Sequence, residues 1–220
     1  MYMNDTITLN DNITHKSFMH GWWYHYRIHD YKVKTLCSNG LFPINKYLHH
    51  VKDNCPDKYF ETGPRSSQLR MKFDINLVKI KGHEVCELAR QGLELDQYNT
   101  AHTNVQMFML SNDDKTISIE VPIWMLESEL PNYCDFFNCT DALTGHIDAL
   151  RIEDGLVWVW DYKPNAHREK YATTQTNFYA LMLSQRTGIP IDQFRCGYFD
   201  DDHAFIFKPL NRDVLKSKLI

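Results

Sequence analysis

The chain has 220 residues, 43% of them hydrophobic, and its 24 Lys and Arg against 28 Asp and Glu give a formal net charge of −4. That length and composition suit one sizeable soluble domain, or a compact domain with a smaller N-terminal lobe, and no run approaches the roughly 18 apolar residues of a membrane span. The whole-molecule field does not attract phosphate, so any contact with nucleic acid must come from a local basic or metal-assisted patch.

The first residues carry neither the basic nor the apolar region of a secretory signal, which makes the cytoplasm the expected compartment. Residues 1–70 form the expected N-terminal lobe, rich in aromatic residues and histidine, and residues 71–220 the main domain. Within the lobe, "GWWYHYRIHDYKVKTL" (21–36) alternates as a strand does, and turns are expected near Asn39-Gly40 and Gly63-Pro64. From Asp74 to Gln91, apolar Leu77, Ile80, Val85, Leu88 and Ala89 recur at helical spacing, with Gly92 as the C-terminal cap. "TISIEVPIWML" (116–126) reads as a β-branched strand stopped or edged by Pro122. Residues 168–188 give the clearest helix, ended by Gly188 and Pro190, and 194–208 read as a hairpin around Asp200-Asp201-Asp202. Six cysteines without a C-x-x-C pair are expected to be free thiols.

Two apolar runs flank Glu153-Asp154-Gly155. Asp-Gly is a favoured two-residue hairpin turn, and in that register Leu150 faces Val159, Ile152 faces Val157 and Asp148 faces Asp161. The two carboxylates then share a face, and Lys163, two residues beyond Asp161, joins them. Like charges so placed favour a cation between them or a proton on one of them, and oxygen ligands suit Mg²⁺ or Mn²⁺. Metal-assisted phosphodiester hydrolysis fits that set, with the lysine offsetting developing charge. Solvated strand-end acids give the same pattern, and the residues alone leave both readings open. Trp158 and Trp160 fall on the opposite face, against a helix.

Gly145 and Asp148, the strand ending Asp161-Tyr162-Lys163, and Gln175 and Tyr179 on the next helix occur in an order that resembles the RecB-like branch of the PD-(D/E)XK nuclease superfamily. "GHEVCE" (82–87) resembles that family's first motif, a helix with a metal-binding histidine. The resemblance covers residues 75–210. It implies an α/β fold with a restriction-endonuclease-like core, a mixed β-sheet flanked by helices. It implies metal ligation by His83, Asp148, Asp161 and the Tyr162 carbonyl, with Lys163 as catalytic lysine. Gln175 and Tyr179, one helical turn apart, would position the scissile phosphate or Lys163. Glu87, Glu120 and His146 are accessory candidates. "CPDKYF" (55–60) resembles the Cys-Pro motif of iron–sulfur members, including CRISPR-associated RecB-like nucleases, but only Cys196 lies where three further ligands belong, so no iron–sulfur cluster is expected.

The expected function is therefore a Mg²⁺- or Mn²⁺-dependent deoxyribonuclease, an exonuclease on single-stranded or end-containing DNA in repair, recombination, replication or defence, with helicase or repair proteins as partners and no membrane. Trp22, Trp23, Tyr24 and Arg27 are candidates for stacking unpaired bases and contacting the strand. A non-catalytic nuclease-fold DNA-binding subunit of a larger complex is the alternative.

Overall fold

The protein's structure, a computed structural model, describes residues 12–220; the first eleven residues of the expected N-terminal lobe lie outside the described residues. Eight strands form one sheet: β1 (Ile13–Met19), β2 (Trp23–His29), β3 (Val78–Lys81), β4 (Thr116–Met125), β5 (Leu143–Glu153), β6 (Leu156–Tyr162), β7 (Phe194–Phe199) and β8 (His203–Phe207). Their order is β1-β2-β4-β5-β6-β7-β8-β3. Every pairing is antiparallel except β6 with β7, which a helix connects. The helices are α1 (Asp30–Leu36), α2 (Phe42–Asn54), α3 (Tyr59–Thr62), α4 (Glu84–Leu95), α5 (Ala101–Asn112), α6 (Tyr133–Phe137) and α7 (Ala172–Thr187). No helix among the described residues is long and apolar enough to cross a membrane.

The β5–β6 hairpin has the register counted from its turn. Asp154 and Gly155 both adopt positive φ, 50° and 72°, as a type I′ turn requires, and Leu150 pairs with Val159 and Ile152 with Val157. The strand side chains then divide between two layers. Val157 and Val159 join Phe178 and Met182 of α7 in the larger core, whereas Trp160 and Tyr162 pack with Val85, Cys86 and Ala89 of α4 and Val105 and Met109 of α5.

Several expectations change. Residues 12–70 are not packed separately: β2 pairs with β4, and Tyr26 and Ile28 share one core with Val159 and Phe178. The strand pattern of 21–36 breaks at Asp30, where α1 begins. The helix expected over 74–91 is instead β3, a turn at Gly82 (φ +67°) and α4. Gly92 lies inside α4, where a Cβ would stand 2.9 Å from the Asn104 carbonyl oxygen of α5; the left-handed cap is Asp96. Pro122 does not stop β4. It pairs with His146 beyond the point where the β2 ladder ends, and its carbonyl accepts the Tyr47 hydroxyl at 2.6 Å, so the missing N–H falls on β4's free side.

Candidate active site

A cavity of about 590 Å³ opens at one end of β4, β5 and β6. Asp148, Asp161 and Lys163 line it, together with Glu120, Gly145, His146, Gln175 and Tyr179. The regular β5–β6 ladder ends at Ala149 and Trp160; one step further the Asp148 Oδ2 accepts the Tyr162 N–H at 2.9 Å. A carboxylate thus replaces a backbone carbonyl as the partner of the strand end, which fixes Asp148 without a second side chain.

Asp161 is fully buried. Its Oδ1 accepts the Gln175 Nε2–H at 2.9 Å, and the same amide group donates to the Tyr179 hydroxyl at 2.8 Å. Its Oδ2 lies 2.7 Å from the Lys163 ammonium as an ion pair, but its direction does not satisfy a hydrogen bond. Burial, with Asp148 adding to it against the opposing Lys163, pushes the Asp161 carboxyl up to about 6. Burial works against the Lys163 ammonium, yet Asp161 and Asp148 outweigh it and raise its pKa. α7 can approach this closely because position 145 is glycine: a Cβ there would stand 2.3 Å from the Tyr179 ring.

Glu120 sits in mid-strand with φ +51°, a left-handed conformation that non-glycine residues seldom hold. Its Oε1 accepts the Gln106 side-chain amide of α5 at 2.7 Å. Burial, then the Asp148 charge, push its carboxyl up to about 8. His102, at the start of α5, brings Nε2 within 3.6 Å of Asp148 Oδ2.

His146 is buried, stacks on Tyr24 at 3.6 Å between ring centroids, and meets His20 Nδ1 through Nε2 at 2.9 Å; His20 Nε2 in turn meets Asp57 at 2.9 Å. Among the described His, Cys, Asp and Glu side chains, only those of His20, Cys55 and Asp57 gather three ligand atoms within 4.8 Å of one another. They stand apart from the strand-end acids, on the β1–β2 turn and the segment after α2.

Two expected residues are elsewhere. The His83 ring caps α4, accepting the Val85 N–H at 3.3 Å, and packs 5.4 Å from Trp160, whose side chain is on the sheet face opposite Asp161. Glu87, exposed one turn on, pairs with Arg90 and Gln91. Both face away because β3 pairs with β8 at the far edge and leads α4 onto the Trp160 face. In their place the structure brings Glu120 and His102 to Asp148. His102 carried no signal in the sequence, since one histidine at the start of a helix with no marked apolar face fits any surface. Trp22, Trp23, Tyr24 and Arg27 do line the cavity, from the β1–β2 hairpin, and Tyr98 and Thr100 face them from the α4–α5 connection. Trp22 and Trp23 are 76% and 55% exposed.

The donor set fits a hard divalent cation. Burial, with the neighbouring Asp148 charge, raises the proton affinity of Glu120 and Asp161, and oxygen donors of that kind suit Mg²⁺ and related ions. A mixed sheet that gathers two acids and a lysine at adjoining strand ends, flanked by helices, defines an α/β nuclease core. The chain belongs to the PD-(D/E)XK nuclease superfamily, whose family model matches residues 84–216. Neither a curated protein nor a solved structure matches the chain with significance. Membership makes the protein a nuclease by class, with DNA as the implied partner, and nucleases of this superfamily typically use divalent metal ions.

Proposed function

We propose that this protein is a RecB-like deoxyribonuclease that uses Mg²⁺ or Mn²⁺ and trims single-stranded or end-containing DNA as an exonuclease, in repair, recombination, replication or defence. The observation that carries this reading is the joint enclosure of Glu120, Asp148, Asp161 and Lys163 in one cavity with Gln175 and Tyr179 behind them. Asp148 and Asp161, with Glu120 and the Tyr162 carbonyl as further oxygen donors, would hold the ion. At that place a divalent ion would supply Lewis-acid polarisation of the scissile phosphate and a more acidic water.

Each side chain has a separate task. The Lys163 ammonium, already held charged by its two acidic neighbours, offsets the negative charge that builds on the phosphate. Gln175 occupies Asp161 Oδ1 and leaves Oδ2 toward the lysine. Tyr179 fixes Gln175 and closes the cavity floor against Gly145. Trp22, Trp23 and Tyr24 offer aromatic faces on which unpaired bases stack, and Arg27 a charge for the backbone.

The test is incubation with end-labelled single- and double-stranded DNA in Mn²⁺, Mg²⁺ or EDTA, beside the Asp161→Ala and Lys163→Ala proteins. Cleavage by the native chain alone, abolished by EDTA, is expected, and the product ladder reads exonuclease against endonuclease behaviour. Equal cleavage by both variants overturns the site. Metal-dependent DNA binding with every end intact overturns the catalytic reading in favour of a non-catalytic subunit.

A further inference from the structure

The cavity does not close at Lys163. Ser67, Lys163 and Gln175, which line it, also line a second depression of about 420 Å³ whose remaining wall includes Arg70, Arg168, Lys170 and Tyr171. The junction is at the lysine end, and neither Trp22 nor Trp23 belongs to the second space. Four cations surround it against one acid, Glu169, in a chain whose net charge is −4. Among the described residues neither Arg168 nor Lys170 takes part in an ion pair, and both are exposed.

Two features organise this space. Arg70 is held in place: its Nη1 donates to the Ser67 and Leu69 carbonyls at 3.3 and 3.1 Å, and its guanidinium lies over the Tyr171 ring at 5.3 Å. Tyr171 also caps the N-terminus of α7, a helix of 16 residues, and supplies no side-chain hydrogen bond to its first turn. The partial positive charge of that helix end adds to the four cations.

We propose that this depression is a second subsite for the same strand, binding one or two backbone phosphates beyond the scissile bond, on the side away from Trp22 and Trp23. It rests on the nucleic-acid reading of the neighbouring acids. The two ends of the continuous groove then differ in what they recognise. The Trp22 end takes base faces, which requires unpaired nucleotides, and the Arg168 end takes phosphates irrespective of base. The substrate class that fills both is a single strand crossing the acids, longer than a dinucleotide; a small phosphodiester fills only the middle.

The experiment compares the full chain with the Arg168→Gln/Lys170→Gln protein. Binding of a fluorescent 20-nucleotide single strand is measured in EDTA, where no cleavage interferes, from 50 to 300 mM salt. Each phosphate contact on a single strand contributes about 0.7 to the slope of log affinity against log salt, so losing two lowers the slope by about 1.4. Hydrolysis of bis(p-nitrophenyl) phosphate in Mn²⁺ is expected to be equal in the two proteins, because that substrate does not reach the second space. An unchanged slope and affinity overturn the subsite, whether or not the native chain cleaves DNA. A lowered slope in a protein that cleaves nothing leaves the subsite standing and overturns the nuclease reading instead. Displacement of the strand by millimolar inorganic phosphate, with no change in slope, overturns it in favour of a site for a free anion.

Discussion

Glu120→Gln separates the electrostatic cost of the acid cluster from its fold. Raising a carboxyl from 4.5 to about 8 costs the ionised folded state ~5 kcal/mol when nothing relieves it. Glu120 keeps part of its surface open on the cavity, and water there reduces the cost to roughly half. A carboxyl whose pKa is higher in the folded than in the unfolded state binds its proton more tightly on folding. Its penalty is therefore absent below about pH 4.5, grows as pH rises, and is complete above about 8. The total stability profile is not a clean readout, because burial depresses the His20, His83 and His146 rings and these lose stability in the opposite direction, on acidification. The difference between the two proteins isolates Glu120. Glutamine keeps an oxygen for the Gln106 amide, so chemical denaturation in EDTA at pH 4.5, 6, 7 and 8 should find equal stability at the acid end and a gain of roughly 2–3 kcal/mol for Glu120→Gln at pH 8. A difference that does not change with pH refutes the argument that Glu120 is held against its own charge.

Three further outcomes are expected. Gly145→Ala forces a Cβ to within 2.3 Å of the Tyr179 ring; it should cost about 1–3 kcal/mol in thermal denaturation and lower DNA cleavage further than that loss explains. Trp22→Ala/Trp23→Ala should leave the melting temperature unchanged, since both rings are exposed, while weakening single-strand binding by about 1–3 kcal/mol per stacked base in a fluorescence titration. Arg151→Ala should destabilise by roughly 3–5 kcal/mol in urea, because it strands the acids that this fully buried guanidinium now meets: Glu153 at 2.9 Å, Glu84 at 3.3 Å and Asp113 at 3.4 Å.

The β5–β6 hairpin was legible because its information is local. Asp154-Gly155 admits one turn geometry, counting outward sets the pairing, and alternation then sends Trp160 to one layer and Asp161 to the other. α7 was legible for a similar reason, with Gly188 supplying the left-handed cap at φ +72°. The misreadings arose where two periods overlap or where location depends on strand order. The alternation of β2 runs without a break into α1, and Lys32 and Val33, buried in α1, look like the next strand residues. The helical spacing held only from Glu84 onward, since Val78–Lys81 form β3, and nothing local to "GHEVCE" says that β3 joins the far edge of the sheet, so the side on which His83 falls was not deducible. Glu120 reaches the cavity from a left-handed position in mid-strand, a conformation that no neighbouring glycine announces.

The same sheet holds acids in two ways, and the contrast bears on what the cavity is for. On one face Arg151 meets three acids, and Asp113 also faces Lys32 at 3.8 Å. That group is closed by its own cations. In the cavity, Glu120, Asp148 and Asp161 have one lysine directly on Asp161 and a histidine 3.6 Å from Asp148, and burial lifts two of the three carboxyls toward neutrality. A left-handed glutamate adds local backbone cost at the same spot. A group that serves only the fold is relieved of its charge by neighbours, as at Arg151, or replaced by apolar residues. In the cavity Arg27 and Arg65 also line the wall, yet Glu120 and Asp161 still sit above the ordinary carboxyl range in a space open to solvent, an arrangement that further positive charge from outside, such as a divalent ion meeting oxygen donors, would relieve.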